Sequence, residues 1–438
     1  MRKLGLLFTL ILVLGPYFVY AQADKHVIMV SVDGLRPEFY LSNKWHAPNL
    51  KQLKKKGAFA EGVVSVFPSV TFPSHTTMVT GVSPAEHGIY YNAVFSYDST
   101  NGGIYWNFKQ IKKKTLWDVA RKAGLKTAAI VWPVSAGAPV DYNIPDIGHM
   151  GNDVLEKYSY PSDFTATIKK EILGGVDKID VGDDIAVAKI GAWVIKNAKP
   201  NLMTLHMFGL DHIEHANGRE GEAVQRGLSK IDSSVGIIWN AVKEAGIEKN
   251  TLFLIVGDHG FYDTDISVRP NVILAKEGLI RDINKGDWDA RFHTMGGSAF
   301  LFVKNNDPKI IGKVRDLFDK LPDSDKKYFR IIDPMKMKQV KADPNAVFAL
   351  SALNNASFAA TEKGDFITQR KKGGVHGHFP DTKEIQTGFI AVGKSVRSNA
   401  NLKEMRLYDI APIVLKYLNL SLGKLKGTVP EGLFKGDK

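Results

Sequence analysis

Six short apolar runs recur along the chain: Val27–Val32, Thr127–Val131, Leu202–His206, Leu252–Val256, Ala299–Val303 and Gly388–Val392. They are continuous rather than alternating, the pattern of strands covered on both faces. Helical periods lie between them. Gly182–Ala198 carries Ile185, Ala188, Ile190 and Trp193, and Glu222–Ala245 carries Val224, Leu228, Ile231, Val235, Ile238 and Val242. This alternation predicts an α/β fold, with a mostly parallel central sheet and helices on both faces. Between Gly260 and Gly374 only one such run occurs, beside a Lys/Asp-rich segment from Asn305 to Lys341. The pattern predicts one catalytic domain over 24–438, with a smaller lobe inserted within about 262–373.

The first residues break the pattern. Arg2 and Lys3 precede an apolar run from Leu4 to Leu14, and Ala21-Gln22-Ala23 follows as a small-x-small site. This is the layout of a cleaved signal peptide over 1–23 and predicts export, to a periplasm or outside the cell. An uncleaved anchor fits less well because the run is short, and no later stretch is apolar and long enough to span a bilayer. The 438 residues include no cysteine, so no disulfide supports the core and no thiolate can bind metal. Net charge is +12, falling to +10 once Arg2 and Lys3 leave. Lysine runs at Lys54–Lys56 and Lys112–Lys114 read as solvated surface, though a basic surface also attracts anionic substrates. No nucleic-acid motif, repeat or low-complexity segment is present.

The candidate chemistry sits just beyond the predicted strands. Val27–Val32 runs into Asp33, Leu202–His206 leads to Asp211, and Leu252–Val256 leads to Asp258-His259. In open α/β sheets ligands bind beyond the carboxyl ends of strands, so three strands deliver acidic and imidazole groups to one edge. Asp211 and His215 share a face if Asp211-His-Ile-Glu-His215 is helical; His212 and Glu214 then point elsewhere. Gly257 and Gly260 permit the turn that adjacent ligands Asp258 and His259 require. His376 lies in Gly374-Val-His-Gly377 and is preferred over His378. Alone, each has a bland reading as an ion pair or turn. Together they form an oxygen and nitrogen donor set suited to zinc in an open catalytic site.

Thr71 opens Thr-Phe-Pro-Ser-His75 just before a helical pattern. It is expected near the N-cap, with Pro73 in the first turn. A helix N-terminus offers free N–H groups to a phosphate. As an isolated feature Thr71 is a cap; beside metal ligands it is a candidate nucleophile. Asn92, closing Gly88-Ile-Tyr-Tyr-Asn92, is a turn residue or an amide donor to a phosphoryl oxygen. His75, His87 and His206 read as structural.

With these motifs the chain resembles the nucleotide pyrophosphatase/phosphodiesterase family of the alkaline phosphatase superfamily. The resemblance rests on V-D-G-L-R, F-P-S-V-T-F-P-S-H, T-G-V-S-P-A-E-H-G-I, V-W-P, D-H-I-E-H, G-D-H-G and G-V-H-G, from Val32 to Gly377. It implies an alkaline-phosphatase-like fold and two Zn2+ ions. Asp211, His215 and His376 would hold one; Asp33, Asp258, His259 and the Thr71 hydroxyl would hold the other. It implies hydrolysis of phosphodiester or phosphoanhydride bonds through a phospho-threonine on Thr71. Asn92 would bind the phosphoryl oxygen, while Phe72 and Trp132 would contact the substrate. Trp132-Pro133 stands where the related monoesterases carry a basic Lys-x-Arg, which favours diesters. The base-stacking tyrosine of the family falls near Gly151, in a loop from Gly148 to Pro161 unlike the family's. The substrate is therefore expected to be a small phosphodiester, either a nucleotide or a lipid head group.

Overall fold

His26–Val32 is buried along its whole length and lies inside an eight-stranded sheet. The structure, a computed structural model, describes residues 24–98 and 102–436; the expected signal segment lies outside them. The strand order is Ala400–Asn401, Ala58–Phe59, Phe389–Val392, Thr251–Val256, His26–Val32, Leu202–Met207, Thr127–Trp132 and Tyr142–Pro145. The five strands from Thr251–Val256 to Tyr142–Pro145 are mutually parallel. Phe389–Val392 runs antiparallel to them.

Successive residues of the central strand feed opposite faces. Ile28, Val30 and Val32 pack with the helices Pro48–Lys56, Asp184–Ala198 and Glu222–Glu244. Val27 and Met29 pack with Leu116–Lys122, Thr71–Thr80 and Ile410–Leu418. Each fully buried Val or Ile contributes about 1.5–3 kcal/mol relative to exposure. That is why these runs read as continuously apolar.

Three strands of this sheet escape the hydrophobic pattern. Ala58–Phe59 and Ala400–Asn401 hold two residues each, and Tyr142–Pro145 interrupts its apolar residues with Asn143. Ala299–Val303 was an expected strand and is one, over Ser298–Val303, but it belongs to a different sheet. That four-stranded antiparallel sheet also holds Ala290–Met295, Ala349–Ala352 and Phe329–Ile332. It builds an apolar core with Pro308–Asp319 and Pro334–Val340. Phe67, Tyr91 and Phe379, which flank the Thr71, Asn92 and His376 motifs, pack into this same core. A three-stranded sheet of Ala356–Phe358, Tyr262–Val268 and Ile367–Val375 carries His376 to the edge of the main sheet.

Candidate metal centre

The register of the central strands sets the site. Ser31 pairs with His206 on one side and with Val256 on the other, so three strands end side by side. Asp33 follows the first strand. Asp211 and His215 lie on the helix Gly209–Asn217 that follows the second. Asp258 and His259 follow the third. Gly257 and Gly260 are required here for space rather than for a left-handed turn, since neither has a positive φ. A Cβ on Gly257 would lie 1.9 Å from Thr387 Oγ1, and one on Gly260 would lie 2.2 Å from the Glu384 carbonyl. Gly34 is different: its φ is +71°, and its N–H donates to Asp258 Oδ1 at 3.1 Å.

Two overlapping groups of donors result. Asp211, His215 and His376 form one, and Asp33, Asp211 and His259 the other, each with its ligand atoms within 4.8 Å of one another. Asp211 thus stands between the two, whereas the family division gives it to one ion. Asp258 Oδ2 completes the second group, 3.1 Å from His259 Nε2. His376 rather than His378 occupies the site; His378 is buried apart from it, against Tyr262.

The imidazoles are oriented from behind. Nδ1 of His215 lies 3.0 Å from the Gly374 carbonyl, that of His376 3.0 Å from Ser69, and that of His259 3.1 Å from Gly260. A carbonyl only accepts, so each Nδ1 carries the proton and each Nε2 turns a lone pair inward. Nε2 of His215 and Nε2 of His376 then face each other at 3.1 Å with no proton between them. Asp33 Oδ1, Asp211 Oδ1, Asp258 Oδ2 and His259 Nε2 are buried without a hydrogen-bond partner.

Like charges gather here without a neutralising Lys or Arg. Burial, then the charge of Asp211, holds the Asp33 carboxyl well above the usual range. Burial and then Asp258 do the same for Asp211, and burial and then Asp33 for Asp258. Burial, followed by neighbouring imidazoles, holds His259 and His376 well below 6.5, so both are neutral near pH 7. Ionised together, Asp33 and Asp211, whose ligand atoms lie within 4.8 Å of one another, would repel by at least about 3 kcal/mol at an effective dielectric of 20. Inward lone pairs, orphaned carboxylate oxygens and uncompensated negative charge fit metal cations between them.

Thr71 is the first residue of the buried helix Thr71–Thr80, with Val70 as the cap residue and Pro73 in the first turn as expected. Its hydroxyl faces the Asp33 carboxylate. Phe72 N–H donates to Asn92 Oδ1 at 2.9 Å, which leaves the Asn92 Nδ2 donors without a partner among the described residues. The Phe72 ring, 8 % exposed, packs with Ile89, Tyr105 and Val134, so only a sliver reaches solvent.

Trp132 does not occupy the place expected of it. It is fully buried, edge-on to His75 and Trp117 in the core of one sheet face. It offers a substrate no surface: Val131, at φ +55°, breaks the register and the alternation of the strand, and Trp132 lands on the same covered face as Ala129.

Other groups shape the site from behind. His206 Nε2 stands 3.1 Å from Asp33 Oδ2, and its other ring nitrogen 3.2 Å from the Val131 carbonyl. It therefore positions an acidic residue from the neighbouring strand. His75 joins Thr71 to the central strand, with Nδ1 at the Thr71 carbonyl and Nε2 at Ser31 Oγ, both 2.8 Å. Buried Arg36 pairs with Glu214 at 2.7 Å and ties the Asp33 turn to the metal-facing helix. Asp146, after Tyr142–Pro145, adds its field to that around Asp33. The V-D-G-L-R and F-P-S-V-T-F-P-S-H motifs contain Arg36 and His75, whereas His206, five residues before Asp211, and Asp146 lie outside every motif.

Comparison with known proteins gives the family and the fold. Residues 27–377 match the family described as type I phosphodiesterase / nucleotide pyrophosphatase, and the chain belongs to that family. Human ectonucleotide pyrophosphatase/phosphodiesterase family member 1 is 26% identical over 243 residues, covering 53% of this chain and 23% of its own length. Mouse family member 3 is 23% identical over 423 residues, covering 92% of this chain and 43% of its own length. Venom phosphodiesterase 2 of Crotalus adamanteus is 23% identical over 424 residues, covering 92% and 46%. The chain thus spans less than half the length of these relatives. In fold it matches murine ectonucleotide pyrophosphatase/phosphodiesterase 5, an inactive threonine-to-alanine variant in complex with AMP. That match has a TM-score of 0.67 at 21% identity and covers 92% of this chain and 97% of the other. Among the described residues no helix is long and apolar enough to cross a membrane.

Proposed function

We propose that this chain is an exported, two-zinc phosphodiesterase/nucleotide pyrophosphatase that works through a phospho-threonine on Thr71. The observation that carries the reading is the Thr71 hydroxyl facing Asp33 at the head of a buried helix, beside two groups of inward-facing donors. The threonine replaced in the inactive structural relative, and its bound AMP, support the same role here. Export is supported by the N-terminal charged, apolar and small-residue segments.

Zinc ions held by these donors would supply positive charge to the phosphoryl oxygens and to the attacking and leaving oxygens. The chain's own residues do the rest. Thr71 Oγ forms a bond to phosphorus as the bond to the leaving oxygen breaks, with Asp33 as the acceptor its hydroxyl faces. Asn92, its carbonyl occupied by Phe72 N–H, donates from Nδ2 to a phosphoryl oxygen. Gly374, Ser69 and Gly260 carbonyls hold the imidazoles in register. Water then cleaves the phospho-threonine and restores the hydroxyl.

Diesters are the substrate class. The position where monoesterases carry basic side chains holds core-buried Trp132, so nothing there grips the second charge of a monoester. The test is turnover of bis(4-nitrophenyl) phosphate and of 4-nitrophenyl phosphate, with and without chelator. The diester should show the higher kcat/KM, and chelator should abolish both activities. Thr71→Ala should lose activity by several orders of magnitude, as removal of a nucleophile does, while Thr71→Ser keeps part of it. Full activity of Thr71→Ala would refute the mechanism.

A further inference from the structure

We propose that Lys113, Lys114, Lys341, Lys424 and Lys426 form an anion site, apart from the metal centre, that takes clustered phosphate groups. A free bisphosphate offers that chemistry, and so do the head groups of an anionic lipid. The site is built on Gly81-Val-Ser-Pro-Ala-Glu-His-Gly-Ile89, a motif that gives no donor to the metal centre.

Three separated segments hang their lysines on this stretch. Lys112 N–H donates to the His87 carbonyl at 2.9 Å, Ala85 N–H donates to the Lys341 carbonyl at 3.1 Å, and Lys426 N–H donates to the Gly81 carbonyl at 3.1 Å. The fit is close: Gly81 has φ +67°, and a Cβ there would lie 2.8 Å from Leu425 Cδ2. Ser83 caps the short helix Pro84–His87, and its Oγ donates to Glu86 at 2.6 Å. Contacts between distant parts of the chain therefore bring these lysines together, not one solvated run.

Lys113, Lys114, Lys424 and Lys426 line an open cavity of about 480 Å3 with Glu86, Thr80, Val82 and Leu422. Lys341 joins them, its ammonium in hydrogen-bond contact with that of Lys426. Glu86 is the one carboxylate in the lining, 3.5 Å from Lys426 and 4.0 Å from Lys341. Lys113, Lys114 and Lys424 make no ion pair among the described residues. Exposed lysines elsewhere do pair, as Lys313 does with Glu277 and Lys326 with Asp323, both at 3.1 Å. Five ammonium groups around one carboxylate leave an excess of positive charge focused on the cavity.

The lining sets the class of ligand. Among the described residues no aromatic ring and no arginine lines the cavity, so nothing there stacks on a base or forks onto a single carboxylate. Lysines act as point charges and meet phosphate oxygens from several directions. The volume is that of a small-molecule site. Thr80, in the lining, ends the helix that Thr71 begins. At a rise of about 1.5 Å per residue the two stand roughly 14 Å apart. An anion bound here does not compete with a substrate at the metal centre.

The test titrates fructose 1,6-bisphosphate by calorimetry into the zinc-loaded full chain carrying Thr71→Ala, so that no probe is consumed. Any affinity of the metal centre for the probe is common to every variant. Lys114→Gln/Lys424→Gln/Lys426→Gln should weaken one binding event at least about tenfold, and added salt should weaken the same event. Lys54→Gln/Lys55→Gln/Lys56→Gln removes the same charge elsewhere and should change nothing. With Thr71 intact, both triple variants should hydrolyse bis(4-nitrophenyl) phosphate at the natural rate; a changed rate in the cavity variant alone would overturn a site apart from the metal centre. Vesicles of equal parts phosphatidylglycerol and phosphatidylcholine distinguish the sources. Sedimentation with them that depends on the cavity lysines, without calorimetric binding, assigns a lipid head group, and the reverse assigns a free bisphosphate. Equal loss in both triple variants, or loss in neither with either probe, overturns the site.

Discussion

Asn92 shows how one hydrogen bond decides a residue's use. The Phe72 N–H can only donate, so it fixes the amide oxygen and frees the NH2 group toward the site. Asn92→Ala should lower kcat by about ten- to a thousandfold, the usual scale for one transition-state donor, without loss of metal. An unchanged rate with full metal content would reduce Asn92 to a cap of the Thr71 helix. Trp132 makes the opposite case. Its ring fills the core between His75 and Trp117, so Trp132→Ala should cost about 3–5 kcal/mol, read as a lowered denaturation midpoint. Trp132→Phe should leave the diester KM unchanged; a raised KM at unchanged stability would return Trp132 to the substrate wall. Sequence motifs identified both residues but could not say which way either faced, because side-chain direction is set by neighbouring strands and turns.

At the scale of elements, the site depends on backbone approaching backbone. Gly374 touches the carbonyl of Glu214, and its own carbonyl orients His215. Gly374→Ala would push Ile367–Val375 off the helix Gly209–Asn217 and turn the His215 ring. Losses of such supporting contacts typically weaken metal binding about 10- to 100-fold, which a zinc competition titration would measure. Unaltered affinity would show that the ring is held by its helix alone. Elements with strong periodicity were legible: Glu222–Glu244 and the four central strands Thr127–Trp132, Leu202–Met207, His26–Val32 and Thr251–Val256 lie close to where their apolar residues place them. Short or half-polar strands were not legible, since two residues have no period.

Across the whole molecule, three buried carboxylates with raised proton affinity sit among neutral imidazoles, and this arrangement opposes folding unless cations bind. Metal should therefore stabilise the native state strongly. A ligand present at a thousand times its Kd adds about 4 kcal/mol, so chelation should lower the thermal midpoint as well as abolish activity. Metal analysis finding fewer than two ions in active protein, or a midpoint indifferent to chelator, would count against a two-metal centre. The four-stranded antiparallel sheet contributes to the same centre: its core takes in Phe67, Tyr91 and Phe379, which adjoin the segments bearing Thr71, Asn92 and His376.

The sequence by itself determined the chemistry available. Asp33, Asp211 and Asp258-His259 follow continuous apolar runs, which suit strands covered on both faces and so bring those donors to one edge of a parallel sheet. It also determined the preference for nitrogen and oxygen ligands, since the chain has no sulfur to offer beyond methionine. Tertiary structure alone decided which way each side chain points. It turned Trp132 into the core, placed His206 behind Asp33 and set Asp211 between both donor groups. These outcomes depend on strand register and on contacts between residues distant in sequence. Local pattern carries no record of them, because a shift of one residue in register would reverse every side chain on a strand.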